Sequence, residues 1–333
     1  VATGSNVVKV LITIDTEADN VWEHPQTVTV GSINYIPRFQ DLCNRYRLKP
    51  VYLCSYEVVA SPQFDQVLAG YQEQGVAEIG AHLHPWTNPP FEADPASLSG
   101  GHTYPSELTI DVFRKKVKVL TEIIHAKTGR RPKSYRAGRW GFCAGHIAVL
   151  LDLGYEIDCS VTPLISWQDH PGAKRGGPDF RSAPVEPYFL DVEDVCRSGH
   201  SQLLEVPPTI LFTSRAMKSK GFRAAFAAYR KMLPCKVLNR MLKLDPQWFR
   251  PYPHMSAARL KAVYRAALRR GLPAVEMMFH SSELMPGGSP YGPTEESIEK
   301  LYGKFESVFK YLSRANCEGA TLSQFKDEFL RER

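Results

Sequence analysis

Asp15 and Glu17 stand two residues apart at the end of the apolar run VLITIDTEAD, with Asp19 just beyond them. Side chains at i and i+2 of a strand share a face, so both carboxylates can point into one site. Two carboxylates side by side repel unless a cation, a basic neighbour or a proton relieves them, which makes the pair a candidate for metal binding or acid–base work. His82 and His84, in EIGAHLHPW, have the same spacing. Two imidazoles on one face, joined by a carboxylate from another strand, would give the two-His, one-carboxylate set of catalytic zinc and non-haem iron sites. Trp86, two residues on, suits a platform for a sugar ring and equally a place in the core.

Two further groups carry chemistry. In SYRAGRWGF, Arg136 and Arg139 straddle Gly138 and are followed by Trp140. An arginine at a strand end can clamp a carboxylate and hold a general base ionised, or it can bind an anionic substrate group. In VEMMFHSSEL, His280 closes an apolar strand with Glu283 three residues later. Imidazole is the side chain whose ordinary titration falls near neutral pH, so His280 is a candidate general acid or base.

These residues need a frame that gathers them. Apolar, β-branched runs alternate with segments of helical period, the pattern of βαβ units. The runs predict strands at Val7 to Ile14, Val51 to Cys54, Glu78 to Ala81, Ser134 to Arg136, Ile157 to Val161, Leu203 to Val206 and Val275 to Phe279. Helices are expected at 35–47, 62–74, 107–127, 144–153, 222–242, 257–270 and 295–313. Asp15, His82, Arg136, Asp158 and His280 each fall at a strand's C-terminal end, the rim where barrels of parallel strands build their active sites. Two proline- and glycine-rich stretches, Thr87 to Pro105 and Ser166 to Pro187, read as loops over that rim.

Composition narrows the class. With 333 residues, 43% apolar and 23% charged, the chain is globular, and one large α/β domain over 1–333 is the simplest organisation. Seven scattered cysteines without a CxxC pair predict a reduced chain lacking a disulfide framework. Val1 to Asn6 shows no signal-peptide pattern, so a soluble, cytoplasmic protein is expected. The net charge of +6 is local: residues 213–254 hold ten Lys or Arg against Asp245 alone. There, basic and apolar residues mix at helical spacing, which predicts a basic helical insertion able to rest on an anionic membrane surface or to serve as a solvated barrel helix. The phosphate-binding, nucleophile-elbow and HExxH motifs are absent from the sequence, and nothing in it resembles a nucleic-acid-binding module.

From about Val7 to Leu284 the sequence resembles the NodB-like polysaccharide deacetylase superfamily, through TIDTEAD, the His82 region, Arg136 at the fourth strand end and the late His280. The resemblance implies an α/β fold, a distorted seven-stranded (β/α) barrel, and a divalent metal, zinc foremost with cobalt, manganese or nickel as alternatives. It implies Asp15 as general base, Arg136 orienting it, His280 as general acid, and Glu17, His82 and His84 as metal ligands. Trp86, Arg139, Trp140 and Glu283 are the expected substrate contacts. The chain departs from the family at Thr16, where many members have a metal-binding Asp, and at Trp86, where the second histidine of the family's pair falls.

The implied reaction is removal of an N-acetyl or other acyl group from a saccharide, a sugar nucleotide or a lipid-linked glycan, in polysaccharide or glycoconjugate biosynthesis. Two other readings are open to the same residues. One is a metal-free glycoside hydrolase that sets Asp15 or Glu17 opposite Glu283. The other is a glycan-binding protein on a deacetylase scaffold.

Overall fold

The structure is a computed structural model that describes residues 7–23, 27–91, 103–214, 221, 245–315 and 317–331. Its strands are β1 (Val8–Thr16), β2 (Pro50–Cys54), β3 (Glu78–Leu83), β4 (Ser134–Ala137), β5 (Ile157–Asp158), β6 (Tyr188–Phe189), β7 (Leu204–Glu205), β8 (Ile210–Leu211), β9 (Gln247–Trp248), β10 (Ala274–His280) and β11 (Cys317–Gly319). All seven expected strands are present and lie in one sheet, in the order β10-β1-β2-β3-β4-β5-β7, with every pairing along that path parallel. β6 adds an antiparallel edge next to β7.

Alternation along β1 decides what faces where. Val8, Val10, Ile12 and Ile14 pack outward into the large core under the helices. Leu11 faces the other way and joins Val51, Leu53, Ile157, Cys159, Leu204 and Val206 in a second, inner cluster. Leu322, Phe325 and Phe329 of the C-terminal helix Leu322–Arg331 complete that cluster, so the helix plugs one end of the curled sheet. Thr13 and Asp15 continue the inner face of β1 toward the other end, where the site lies. β11, unforeseen like the C-terminal helix, pairs with Val8–Val10, while β2 takes Ile12–Thr16.

The sheet curls into a half-barrel whose path does not close between β7 and β10. Thr209 spans the gap: its N–H donates to the Glu276 carbonyl at 3.2 Å, and the Glu276 N–H donates to Thr209 Oγ1 at 2.8 Å. Of the basic segment 213–254, the expected helix at 222–242 lies outside the described residues. The described part at its end is not helical: Gln247–Trp248 pairs with β8, and the chain then runs to Arg250 at the mouth of the half-barrel. No helix among the described residues is long and apolar enough to cross a membrane.

Candidate active site

The strand ends converge because β10, β1, β2, β3 and β4 run parallel and in register. Asp15 is level with His280, and His82 is level with Arg136. Glu17 lies just past the end of β1 and reaches both histidines: its Oε2 is 2.6 Å from His84 Nε2 and 3.3 Å from His82 Nε2. The two Nε2 atoms are 3.1 Å apart. All three side chains are buried.

This donor set fits a divalent cation. Bonds of about 2.0–2.2 Å from a tetrahedral ion place its ligand atoms roughly 3.3 Å from one another; the Glu17–His82 and His82–His84 separations match this, and the Glu17–His84 contact is a shorter, hydrogen-bonded one. His82 Nδ1 lies 3.1 Å from the Arg136 carbonyl, which makes Nδ1 the donor and leaves the Nε2 lone pair facing the cluster. The Gly138 backbone passes so close to His84 that a Cβ there would come within 2.5 Å of Nδ1. The next two residues, Arg139 and Trp140, adopt left-handed φ values of 54° and 62°. Such conformations cost about 1–3 kcal/mol each and persist where the surroundings demand them. Here both side chains line the cavity.

Arg136 is completely buried and holds two carboxylates at once. Nη1 donates to Asp15 Oδ1 at 2.6 Å, Nη2 donates to Glu276 Oε1 at 2.5 Å, and Nε donates to the Cys159 carbonyl. Burial alone would raise the Asp15 carboxyl, but Arg136, then His82 and His280, outweigh it and hold Asp15 below the ordinary carboxylate range. Burial likewise opposes ionisation of Glu17, and His84 and His82 more than offset it, so Glu17 sits well below its usual value. His82 is raised: burial disfavours its cation, and Asp15 and Glu17 reverse the sign. Glu276 goes the other way, pushed up to about 7 by burial that Arg136 and Thr13 only partly counter.

His280 faces the same space, with Nε2 3.8 Å from Asp15 Oδ2 and 3.6 Å from Glu17 Oε1. Behind it, Glu283 accepts from the His280 N–H at 3.0 Å and from Arg250 Nη2 at 2.6 Å. Glu283 does not line the main cavity as a substrate contact; it is buried behind His280, because the short 3-10 turn Ser281–Leu284 folds it back onto the strand end. Asp15 and Glu17 are the acids among the cavity-lining residues, and both come from one strand end rather than from opposite walls. A paired-carboxylate reading would have to draw its second acid from behind His280, where Arg250 holds Glu283.

Above these residues opens a cavity of about 520 Å³, within the range of small-molecule sites. Trp86, Arg139 and Trp140 line it, joined by Trp22, Trp167, Tyr104, Tyr252, Tyr291 and Arg250, which sequence reasoning did not single out. Four of the chain's five tryptophans thus face one cavity. Tyr104 arrives on the described end of the first proline- and glycine-rich stretch, and Trp167, His170 and Pro171 on the second. Glu107 ties them together, its carboxylate accepting N–H groups from Tyr104, Ala173, Lys174 and Arg175. The missed Glu276 had a signal: it is a lone charge inside the apolar run AVEMMFH, and such a charge is buried only with a partner.

No family model and no curated protein sequence matches the chain. Among solved structures, it resembles a protein described as a glycoside hydrolase/deacetylase from Parabacteroides distasonis, with a TM-score of 0.63 and 11% identity over 98% of this chain and 72% of the other. It also resembles a protein described as a polysaccharide deacetylase from Mycobacterium smegmatis, with a TM-score of 0.56 and 13% identity over 100% of this chain and 93% of that one. Its similarity to a 4-alpha-glucanotransferase from Thermococcus litoralis has a TM-score of 0.56 and 12% identity, covering 97% of this chain and 41% of that protein. At such identities the likeness is one of fold: a curled, mostly parallel half-barrel of the deacetylase type.

Proposed function

We propose that this chain is a metal-dependent carbohydrate deacetylase that hydrolyses the amide of an N-acylated saccharide. The observation that carries the reading is the convergence of Glu17, His82 and His84 beside the Arg136-held Asp15, at the floor of a cavity walled by tryptophan and tyrosine.

Glu17, His82 and His84 would hold the ion. When bound, a divalent metal supplies Lewis-acid polarisation of an acyl carbonyl and eases deprotonation of a water. Asp15, kept ionised by Arg136, accepts the proton of the attacking water through Oδ2, since Oδ1 is engaged by the guanidinium. His280 Nε2, on the same face, delivers a proton to the nitrogen as the C–N bond breaks, leaving a free amine and a carboxylate. Arg136 touches no substrate: it is buried and acts through Asp15. The aromatic walls stack on the apolar faces of sugar rings and exclude water from the floor. This chemistry serves an N-acylated sugar whether it is carried by a polymer, a sugar nucleotide or a lipid-linked glycan.

The test is elemental analysis of the purified protein beside a His82→Ala, His84→Ala variant, together with acetate release from N-acetylated oligosaccharides. About one Zn, Co, Mn or Ni ion per chain, lost in the variant, with acetate released only by the loaded protein, is the expected result. Saccharide binding without metal or acetate release would favour a glycan-binding role on the same scaffold.

A further inference from the structure

The Arg250 guanidinium reaches the back of His280. Its Nη2 lies 2.9 Å from His280 Nδ1 and 2.6 Å from Glu283 Oε1. Glu283 Oε1 is in turn 3.0 Å from that same Nδ1. The imidazole therefore has two candidate partners at one nitrogen, and they demand opposite things of it. Glu283 is held below the ordinary carboxylate range by Arg250 and His280 against the effect of burial, so it offers an acceptor and calls for a proton on Nδ1. A guanidinium has donors only and calls for a lone pair there.

The hydrogen-bond count favours the guanidinium. Glu283 Oε1 already accepts from Arg250 Nη2 and from the His280 backbone N–H. Nη2 also lies 2.9 Å from Nδ1, close enough to donate to it. A proton on Nδ1 would point two donors at one another, whereas a proton on Nε2 satisfies all the partners together. Arg250 is itself fixed, with its guanidinium carbon 4.3 Å from the centre of the Tyr252 ring, and Trp22 packs edge-on against the imidazole at 4.9 Å.

We propose that Arg250 is a positioning residue that selects the Nε2–H tautomer of His280, so that the imidazole presents an N–H to the cavity. This rests on the deacetylase reading, in which His280 is the general acid: that role needs the proton on Nε2, and Glu283 alone would draw it to Nδ1. The assignment also explains why Arg250 is brought back to the mouth of the half-barrel immediately after β9.

The test is ¹⁵N NMR of histidine-labelled, full-length protein at a pH where the imidazoles are neutral, with the His280 signals assigned by their loss in His280→Gln. Nitrogen shifts separate a protonated ring nitrogen from one carrying a lone pair. The unsubstituted protein is expected to show a protonated Nε2 and a bare Nδ1. Arg250→Met is expected to move the proton to Nδ1, against Glu283, and Arg250→Lys to restore part of the Nε2–H population. A protonated Nδ1 in the unsubstituted protein would overturn the proposal without recourse to any variant, and so would an unchanged tautomer in a folded Arg250→Met. In a turnover assay Arg250→Met should lower kcat about 10²-fold or more with metal content held, the loss expected for a general acid in the wrong tautomer, and Arg250→Lys should recover part of it. The tautomer measurement needs neither metal nor substrate, so failure of the deacetylase reading would show as missing acetate release with the Nε2–H signature intact.

Discussion

Arg136 and Asp15 form an ion pair sealed inside the curled sheet, with Nη1 2.6 Å from Oδ1 and side-chain exposures of 0% and 4%. The pair joins β4 to β1 across the interior, and Glu276 on β10 completes it from a third strand. One guanidinium thus serves two carboxylates of different standing: Asp15 is held ionised at the cavity floor, and Glu276 is pushed toward its neutral form deeper in.

Removing the Arg136 cation and neutralising Asp15 should separate stability from catalysis. Arg136→Met leaves Asp15 and Glu276 buried without their partner and should cost about 3–5 kcal/mol in urea unfolding. Asp15→Asn keeps the shape and should change stability far less, while lowering acetate release by about 10²–10⁴-fold with metal content retained. Equal losses of stability in the two variants would contradict the arrangement.

Glu276 predicts a pH dependence of stability. Its native pKa of about 7 lies above its ordinary value of 4.5, so its contribution is fully present below 4.5 and is lost as the pH rises to 7. Across that window the native state keeps a proton that the unfolded chain gives up, which amounts to roughly 3 kcal/mol. Urea unfolding of the unsubstituted protein and Glu276→Gln, at matched ionic strength from pH 4.5 to 7.5, should show the stability of the former falling relative to the variant by that order. A constant difference would rule the shift out.

Lys116 offers a test of how His84 is held. Its ammonium is fully buried and donates to the carbonyls of Pro85, Asn88 and Pro90, while Asn88 Nδ2 donates back to the Lys116 carbonyl. Lys116→Met strands three carbonyls, each worth about 1–3 kcal/mol before water enters, in the turn directly after His84. Metal affinity, read by competition with a chromogenic chelator, is expected to fall in the folded variant. Unchanged affinity would show that the turn does not position His84.

Trp167 tests the saccharide wall. It stacks against Trp140 with ring centres 6.4 Å apart, and its Nε1 donates to Thr162 Oγ1. Trp167→Ala should raise KM about tenfold, equivalent to ~1.4 kcal/mol, with kcat little changed. A loss confined to kcat would place Trp167 outside substrate binding.

Much of this site was legible in the sequence because the parallel half-barrel exposes its strand ends. An apolar, β-branched run such as VLITI can be read locally, and the polar residue that ends it must then lie on the rim. That reasoning reached Asp15, His82, Arg136 and His280, and the i, i+2 rule placed Glu17 beside Asp15 and His84 beside His82. It failed where a residue's role depends on what lies across a loop. Glu283 has the sequence environment of a rim acid, but one 3-10 turn buries it behind His280. Arg250 sits in a segment whose charge suggested a surface, and only the β8–β9 pairing brings it back to the site.

By itself, then, the sequence determined the seven parallel strands, their order of chemistry along the chain and the residue types at each strand end, because hydrophobic alternation and helical period are local properties. Tertiary structure decided which of those residues meet: that Glu17 Oε2 bridges two imidazoles, that Arg136 is shared with Glu276, and that four tryptophans from separate loops face one cavity. These depend on the curl of the sheet and on loop paths, which are set by packing between elements far apart in the chain and leave no periodic trace in it.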